Sequence, residues 1–337
     1  MPTIKPIDTS WLNQVSETAI EPHRRIIDPH HHLWRRNNIG NYTLDELWAD
    51  TGSGHNIEKT VFIECGASYR NDGPEHLRCI GETEFVAQIA AASAQGGPGK
   101  AVIAGIVAHA DLTQGDVLEE VLAAHQDAGR GLFRGIRHAG ALDPHPEDLM
   151  IAGRAPAGLY ARKDFRDGVN VLGRRGYTFD TWHYHHQNAD FASLARAVPD
   201  TMMVLDHFGT PLGVGRYRDQ REAIFTVWKK DIAEIAKCAN VVAKLGGLAM
   251  PDNGFGWNER ATPPTSDEFM RAQQRYYLHT IECFGPDRCM FESNFPVDKW
   301  SISYPVLWNG LKKIVAGFSE SEKDAMFYGT AARIYRL

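Results

Sequence analysis

Short apolar runs rich in β-branched residues alternate along the chain with longer segments of helical pattern. Near-continuous apolar runs are typical of strands that are covered on both faces, as in parallel sheets. Eight runs fit this description: 25–28, 59–65, 101–108, 132–138, 177–184, 201–207, 240–247 and 288–294. The pattern therefore predicts eight strands with helical segments between them.

The segments between these runs carry helical periodicity and helix-start signals. Apolar residues form one stripe over residues 115–129, and Gly129 supplies a stop. Residues 82–95 and 221–238 are equally helical in pattern. Two pairs fit the capping box, in which two side chains satisfy free amide donors at a helix start: Thr265 with Glu268, and Ser319 with Glu322.

Eight strand–helix alternations without an obvious linker predict an α/β fold, a single (β/α)8 TIM barrel spanning residues 1–337. Residues 1–24 form an N-terminal extension, and two long connections, 139–176 and 250–265, are expected to cover the active site. A doubly wound open sheet would need a glycine-rich turn after its first strand. The segment "DPHHHLW" (28–34) contains no glycine, so the barrel is favoured.

Composition narrows the class of protein. The chain has 337 residues, is 43% hydrophobic and carries a net charge of -6. No cluster of Lys and Arg exceeds a pair, which argues against nucleic acid and against an anionic membrane as partners. No signal peptide or long apolar segment is visible, so a cytoplasmic protein is expected. The five cysteines form no CxxC pair and indicate small buried apolar residues.

Polar residues gather where the predicted strands end, and in this barrel the carboxyl ends of the strands carry the chemistry. The first run ends in three histidines, and later runs end in carboxylates, imidazoles and cations. The residues are His30, His31, His32, Glu64, Arg137, His138, His183, Tyr184, His185, His186, Asp206, His207, Lys244, Glu292, Ser293, Asn294 and Asp298. Most candidate catalytic and binding residues therefore lie at one rim of the predicted barrel.

Strand alternation places the three consecutive histidines on two different sides of the first strand. His30 and His32 are two residues apart and point to the same side, whereas His31 points away. Two imidazoles on one face can bind a divalent ion or together position a water molecule. We expect His30 and His32 in a solvent-filled barrel mouth and His31 in a packing role.

Five motifs together resemble one known family. They are "DPHHHLW" (28–34), "FRGIRH" (133–138), "VLDHFGTP" (204–211), "KLGGL" (244–248) and "MFESNFPVDK" (290–299). Their order resembles the amidohydrolase superfamily, in particular the lactonase-like TIM-barrel hydrolases that include fuconolactone hydrolase and 2-pyrone-4,6-dicarboxylate lactonase. The resemblance extends over nearly the whole chain.

The resemblance implies a divalent metal, zinc or manganese, held by His30, His32 and His207, although metal-free catalysis also occurs in this branch. It implies that a hydroxide attacks a carbonyl while a carboxylate after the eighth strand moves the proton. Relatives have Ser-Asp-Trp-Pro there, whereas this chain has Asn294 in place of the acid. Because an amide cannot accept a proton at neutral pH, the candidate replacements are Asp298, Glu292 and Glu64. The predicted catalytic residues are His30, His32, Glu64, His207, Asn294 and Asp298.

Arg137 follows the fourth strand and is predicted to bind a substrate carboxylate or carbonyl. His138 is assigned to the same group. One of His183, Tyr184 and His185 is expected to face the site, with His185 favoured. Trp257 is a further candidate substrate contact, and Trp182 and Trp300 are alternative walls.

These residues predict a hydrolase that opens a lactone or related ester of a small organic or sugar acid in catabolism, and that acts on esters rather than amides. Two alternative enzymatic functions are amide hydrolysis and metal-dependent non-oxidative decarboxylation of an aromatic or enoic acid. A barrel that binds a metabolite without turnover is the non-enzymatic alternative. The expected partner is a small molecule, and a homodimer is the base-rate expectation.

Overall fold

Eight parallel strands form one sheet in sequential order, as predicted. The computed structural model describes residues 6–36 and 38–337. The strands are β1 (Arg25–His31), β2 (Asn56–Ile63), β3 (Val102–Ala108), β4 (Phe133–Arg137), β5 (Thr178–Thr181), β6 (Met203–Leu205), β7 (Val241–Leu245) and β8 (Cys289–Phe291). Each pairs in parallel with the next.

The seam between the first and last strands is closed just beyond β8. His31 forms a parallel bridge with Phe295. The backbone N–H of His32 donates to the Phe295 carbonyl at 2.8 Å, and that of Asn294 donates to the His30 carbonyl at 3.0 Å. The predicted (β/α)8 barrel is therefore confirmed, and its seam ties the histidine segment to the segment after β8.

Helices alternate with the strands. They are α1 (Thr9–Leu12), α2 (Leu44–Thr51), α3 (Ile80–Ser93), α4 (Val117–Ala128), α5 (Lys163–Arg174), α6 (Asn188–Ala197), α7 (Arg221–Ala236), α8 (Ser266–Phe284), α9 (Tyr304–Ile314), α10 (Glu320–Asp324) and α11 (Thr330–Tyr335). Both predicted capping boxes are present, at the starts of α8 and α10. Among the described residues, no helix is both long and apolar enough to cross a membrane.

Both faces of the barrel sheet are buried. Outward-facing residues pack against the surrounding helices in the larger apolar core. Inward-facing strand residues form a second cluster with one side of α11, whose contributors are Ala331, Ile334 and Tyr335. The C-terminal helix therefore fills the barrel interior below the polar rim, so the chemistry is confined to the other end of the barrel.

The two long connections approach each other over that end. Asp252, in the connection after β7, is buried and accepts hydrogen bonds from the backbone N–H groups of Met150 (2.7 Å) and Ile151 (2.8 Å). Met150 and Ile151 belong to the connection after β4, so one carboxylate joins the two predicted roof segments. Residues 139–176 also contain α5.

Candidate active site

The histidine pair at the end of β1 faces the barrel interior. The register of β1 on β2 shifts between Asp28 and His31, which sets the facing of the residues after it. The Nε2 atoms of His30 and His32 are 3.3 Å apart, and the Nδ1 atom of His32 is 2.8 Å from the Ile63 carbonyl oxygen. His31 points away as predicted: its Nε2 atom lies 3.0 Å from Thr60 Oγ1.

These imidazoles are more enclosed than the sequence suggested. His30, His32 and His207 are 0%, 5% and 2% exposed. The expectation that His30 projects into a solvent-filled mouth is therefore wrong, whereas His32 borders a cavity. Burial lowers the pKa of each, for His207 to about 3, so all three are neutral at physiological pH.

Glu292 lies beneath two of the histidines. Its Oε1 atom is 2.7 Å from His207 Nδ1, and its Oε2 atom is 2.8 Å from His30 Nδ1. The second contact lacks hydrogen-bond geometry, and Oε2 has no hydrogen-bond partner among the described residues. Burial raises the pKa of Glu292 to about 8. His207 turns toward this carboxylate because its backbone adopts a left-handed conformation, with φ at 54°.

A buried lysine and two aspartates complete the cluster. Lys244, on β7, lies 2.9 Å from Asp180 Oδ2, 3.1 Å from Asp206 Oδ1 and 3.3 Å from His30 Nδ1. Tyr335 of α11 donates to the same Asp180 oxygen. All of these side chains are fully buried. We call the set His30, His32, His207, Lys244, Asp180, Asp206 and Glu292 the inner cluster.

Glu64 and Arg137 form a pair beside this cluster. Arg137 donates from Nε to Glu64 Oε1 at 2.8 Å and from Nη2 to the Glu64 backbone carbonyl. Its Nη1 atom is 3.7 Å from Asp206 Oδ2. The two predicted residues are thus brought together, with Glu64 holding the guanidinium in place.

Asn294 and Asp298 form a separate pair. The Asn294 side-chain amide donates to Asp298 Oδ1 at 2.8 Å, and the Ala249 backbone N–H donates to Asp298 Oδ2 at 3.0 Å. Burial raises the pKa of Asp298 well above its ordinary value. Both predicted catalytic residues therefore have their polar atoms directed at each other and at the start of the loop after β7.

A cavity of about 660 Å³ lies above the inner cluster. Its floor contains His32, Glu64 and Arg137, and its walls contain three tryptophans and two further arginines. The wall residues include Trp34, Trp182, Trp300, Arg36, Arg154, Met150 and Ile151. Among the described residues that line it, Glu64 is the only carboxylate. Trp182 and Trp300, proposed from the sequence as alternative walls, do border this cavity.

The structure places the other four predicted substrate contacts outside the cavity lining. His138 Nδ1 accepts from the Leu112 N–H at 3.2 Å, and His185 Nδ1 accepts from the Leu212 N–H at 3.3 Å. The Tyr184 hydroxyl is occupied by the backbone of the roof, where it accepts from the Gly153 N–H at 2.7 Å. Trp257 stacks on Phe255 within the second roof segment. Their assignment to substrate binding stays a prediction, since the contacts found here are internal to the loops.

No individual role was predicted from the sequence for Lys244, Asp180 or Asp206. For Lys244 and Asp206 strand alternation was the available signal, because each lies two positions beyond an apolar residue of the barrel interior, as Glu292 does. The pairs are Val204 and Asp206, Val242 and Lys244, and Met290 and Glu292.

The donor atoms of this site fit a divalent metal ion. In a tetrahedral zinc site with bonds of about 2.0–2.1 Å, two ligand atoms lie roughly 3.3–3.4 Å apart. The His30 and His32 Nε2 atoms show this spacing, at 3.3 Å. His30, His207 and Glu292 also offer ligand atoms that all lie within 4.8 Å of one another. His207 and His32 have their Nδ1 atoms next to a carboxylate and a carbonyl, as metal-binding histidines commonly do.

Comparisons with known proteins agree with this architecture. The profile of a protein family described as Amidohydrolase matches residues 27–337. An uncharacterised protein of Sinorhizobium fredii, y4mH, is 31% identical over 333 residues, which cover 93% of this chain and 98% of that protein. The L-fucono-1,5-lactonase of Burkholderia multivorans is 30% identical over 175 residues, 52% of this chain and 56% of the lactonase.

The fold has also been seen in a solved structure. A Burkholderia multivorans amidohydrolase crystallised with bound zinc superposes with a TM-score of 0.72 at 23% identity, covering 93% of this chain and 99% of that one. At this identity the likeness concerns the fold.

Proposed function

Since the chain belongs to the amidohydrolase family, we propose that it hydrolyses the lactone, or a related ester, of a small organic or sugar acid. The observation that carries the proposal is the floor of the cavity, where a carboxylate and a guanidinium stand beside a neutral imidazole. The partial identity to a lactonase supports an ester rather than an amide as the bond broken. The cavity volume of about 660 Å³ suits a small molecule.

Glu64 is the proposed general base. It lines the cavity, and Arg137 occupies only one of its two carboxylate oxygens. The carboxylate takes a proton from water as the water oxygen attacks the lactone carbonyl carbon. The ring C–O bond then breaks, and the proton passes to the departing oxygen, which gives an open hydroxy acid. Proton transfer of this kind contributes about 10²–10⁴-fold to a rate.

Arg137 is the proposed substrate anchor. Within residues 6–36 and 38–337 its Nη1 group makes no close hydrogen bond, so it can donate to a substrate carbonyl or carboxylate, while Glu64 fixes the plane of the guanidinium. The Trp34, Trp182 and Trp300 side chains offer flat apolar walls for the ring of the substrate.

A metal ion would be held by His30, His32 and His207, with Glu292 orienting His207 from below. Such an ion would supply Lewis-acid polarisation of the substrate carbonyl. Zinc and manganese are the candidates, and a donor set of three imidazoles suits zinc.

The test is a panel of sugar-acid and carboxylated lactones incubated with the enzyme in ¹⁸O-labelled water. Hydrolysis places one ¹⁸O atom in the product carboxylate. Release of CO₂ without ¹⁸O incorporation would instead identify a decarboxylase. Binding without any product over the panel would favour a barrel that only binds a metabolite.

A further inference from the structure

Lys244 donates hydrogen bonds to Asp180 and His30 inside the barrel and forms an ion pair with Asp206. Its ammonium group has three N–H bonds and lies near three acceptor atoms, Asp180 Oδ2, Asp206 Oδ1 and His30 Nδ1. An ammonium can only donate, so the His30 Nδ1 atom must accept. In a neutral imidazole the proton of His30 then resides on Nε2.

The next two contacts agree with that tautomer. The Ile63 carbonyl can only accept, so His32 carries its proton on Nδ1 and accepts at Nε2. His30 Nε2, at 3.3 Å, is the matching donor. Lys244, His30, His32 and Ile63 therefore form one directed chain of hydrogen bonds in which each donor meets an acceptor.

Metal binding needs the opposite tautomer of His30. To offer its Nε2 lone pair to an ion, His30 must carry its proton on Nδ1 and donate it to an acceptor. Glu292 Oε2 is that acceptor, since it lies 2.8 Å from His30 Nδ1 and has no hydrogen-bond partner among the described residues. Lys244 and Glu292 thus compete for the same nitrogen atom.

We propose that Lys244 is a positioning residue that opposes metal binding at His30, and that the balance between Lys244 and Glu292 decides whether the site holds a metal ion. The inference rests on the metal site of the proposed function and goes beyond it by naming the residue that controls occupancy. It concerns metal affinity, which is measured independently of any substrate.

The direct test is titration of metal-free protein with Zn²⁺ against a competing chelator. Lys244→Met removes both the competing donor and an ammonium charge next to the ion, so the affinity should rise about tenfold or more. Because this change removes the cation beside two buried aspartates, the double variant K244M/D180N is measured as well; it removes one positive and one negative charge together. Equal or weaker Zn²⁺ affinity in the folded variants would overturn the proposal.

Lys312→Met is the matched control. Lys312 is also buried and lies 2.8 Å from an imidazole Nδ1 atom, that of His55, but it is held by the Ile20 and Glu21 carbonyls of the N-terminal extension. Its replacement should leave Zn²⁺ affinity unchanged. A tenfold rise in this control as well would mean that loss of any buried lysine has the effect, which would refute a specific role for Lys244.

A second measurement does not depend on the folding of any Lys244 variant. In metal-free wild-type protein labelled with ¹⁵N-histidine, His30 should show a protonated Nε2 and an unprotonated Nδ1, with the signal assigned by its absence from His30→Asn. A protonated Nδ1 would contradict the proposal. Lactone hydrolysis by the same preparations is recorded separately, so that failure of this inference is distinguishable from failure of the proposed reaction.

Discussion

Glu64 and Asp298 are both carboxylates that follow a barrel strand, and both were candidates for the acid missing at position 294, yet their surroundings differ. The Glu64 side chain is 13% exposed, lines the cavity and faces a guanidinium. Asp298 is 0% exposed and accepts from an amide side chain and a backbone N–H of the loop after β7. The first can meet substrate and water, whereas the second joins two loops. What a carboxylate near a strand end faces, and not its position along the chain, therefore identifies it as a candidate catalytic group.

Glu292 lies between these two cases. It is as buried as Asp298, but its oxygens lie next to the imidazoles of His207 and His30. We therefore expect three different responses when the three carboxylates are replaced: loss of turnover, loss of stability and loss of metal affinity.

The largest effect is expected for Glu64→Gln. The amide oxygen can still accept from Arg137, but the side chain can no longer take a proton. Turnover should fall about a thousandfold, within the range for a lost general base, while the free energy of unfolding changes by less than about 1 kcal/mol. Steady-state kinetics and urea unfolding of the same preparation provide both numbers.

The control for this variant is Glu84→Gln, which alters a glutamate that pairs with Arg70 on the surface away from the cavity. Its turnover should equal that of the wild type. A Glu64→Gln variant with full activity would show that another group takes the proton.

Asp298→Ala should act mainly on stability. It leaves the Asn294 amide and the Ala249 N–H buried without their acceptor, which costs about 2–4 kcal/mol. Urea unfolding monitored by tryptophan fluorescence measures the loss. If the variant keeps its stability and loses turnover, Asp298 belongs to the chemistry and the comparison with Glu64 fails.

Glu292→Gln should weaken metal binding. Partners that orient metal-binding histidines typically contribute 10–100-fold to affinity, so Zn²⁺ affinity should fall about 10–100-fold. Competition with a chelator measures this change on metal-free protein. Unchanged affinity would mean that Glu292 does not orient His30 or His207.

The strands could be predicted from the sequence, whereas the hydrogen-bond partners of the carboxylates could not. The eight strands follow from local apolar patterning, and the shared side of His30 and His32 follows from period-two alternation. Alternation alone does not make that side the inner one, because Ile27 also faces inward and the register of β1 on β2 shifts between Asp28 and His31. The partners of the carboxylates depend on which loops meet across the barrel. Asp298 receives its second hydrogen bond from Ala249, 49 residues away, and Arg137 reaches Glu64 across 73 residues. Such contacts have no local signature in a single sequence.

Tyr184 and Trp257 lie outside the cavity lining, and this too depends on contacts between loops. The sequence does not show which way these side chains point. In the structure, backbone groups of the first roof segment hydrogen-bond to the Tyr184 hydroxyl, and Trp257 stacks on Phe255 in the second. The conformation of a long loop is set by such internal hydrogen bonds, which residue type alone does not predict.

The smallest net effect is expected for an exchange of the Asn294 and Asp298 side chains. Asn294→Asp alone places two buried carboxylates where a 2.8 Å hydrogen bond now stands, so it should destabilise the protein by about 3 kcal/mol.

In N294D/D298N, the amide at position 298 can donate to the new carboxylate while its oxygen still accepts from Ala249. Both Asp and Asn tolerate the left-handed backbone at position 294, where φ is 56°. The double variant should therefore unfold within about 1 kcal/mol of the wild type, and its turnover should be unchanged because neither side chain lines the cavity. A marked change in turnover would mean that a carboxylate at position 294 reaches the reacting groups, and the scaffold role assigned to this pair would then be wrong.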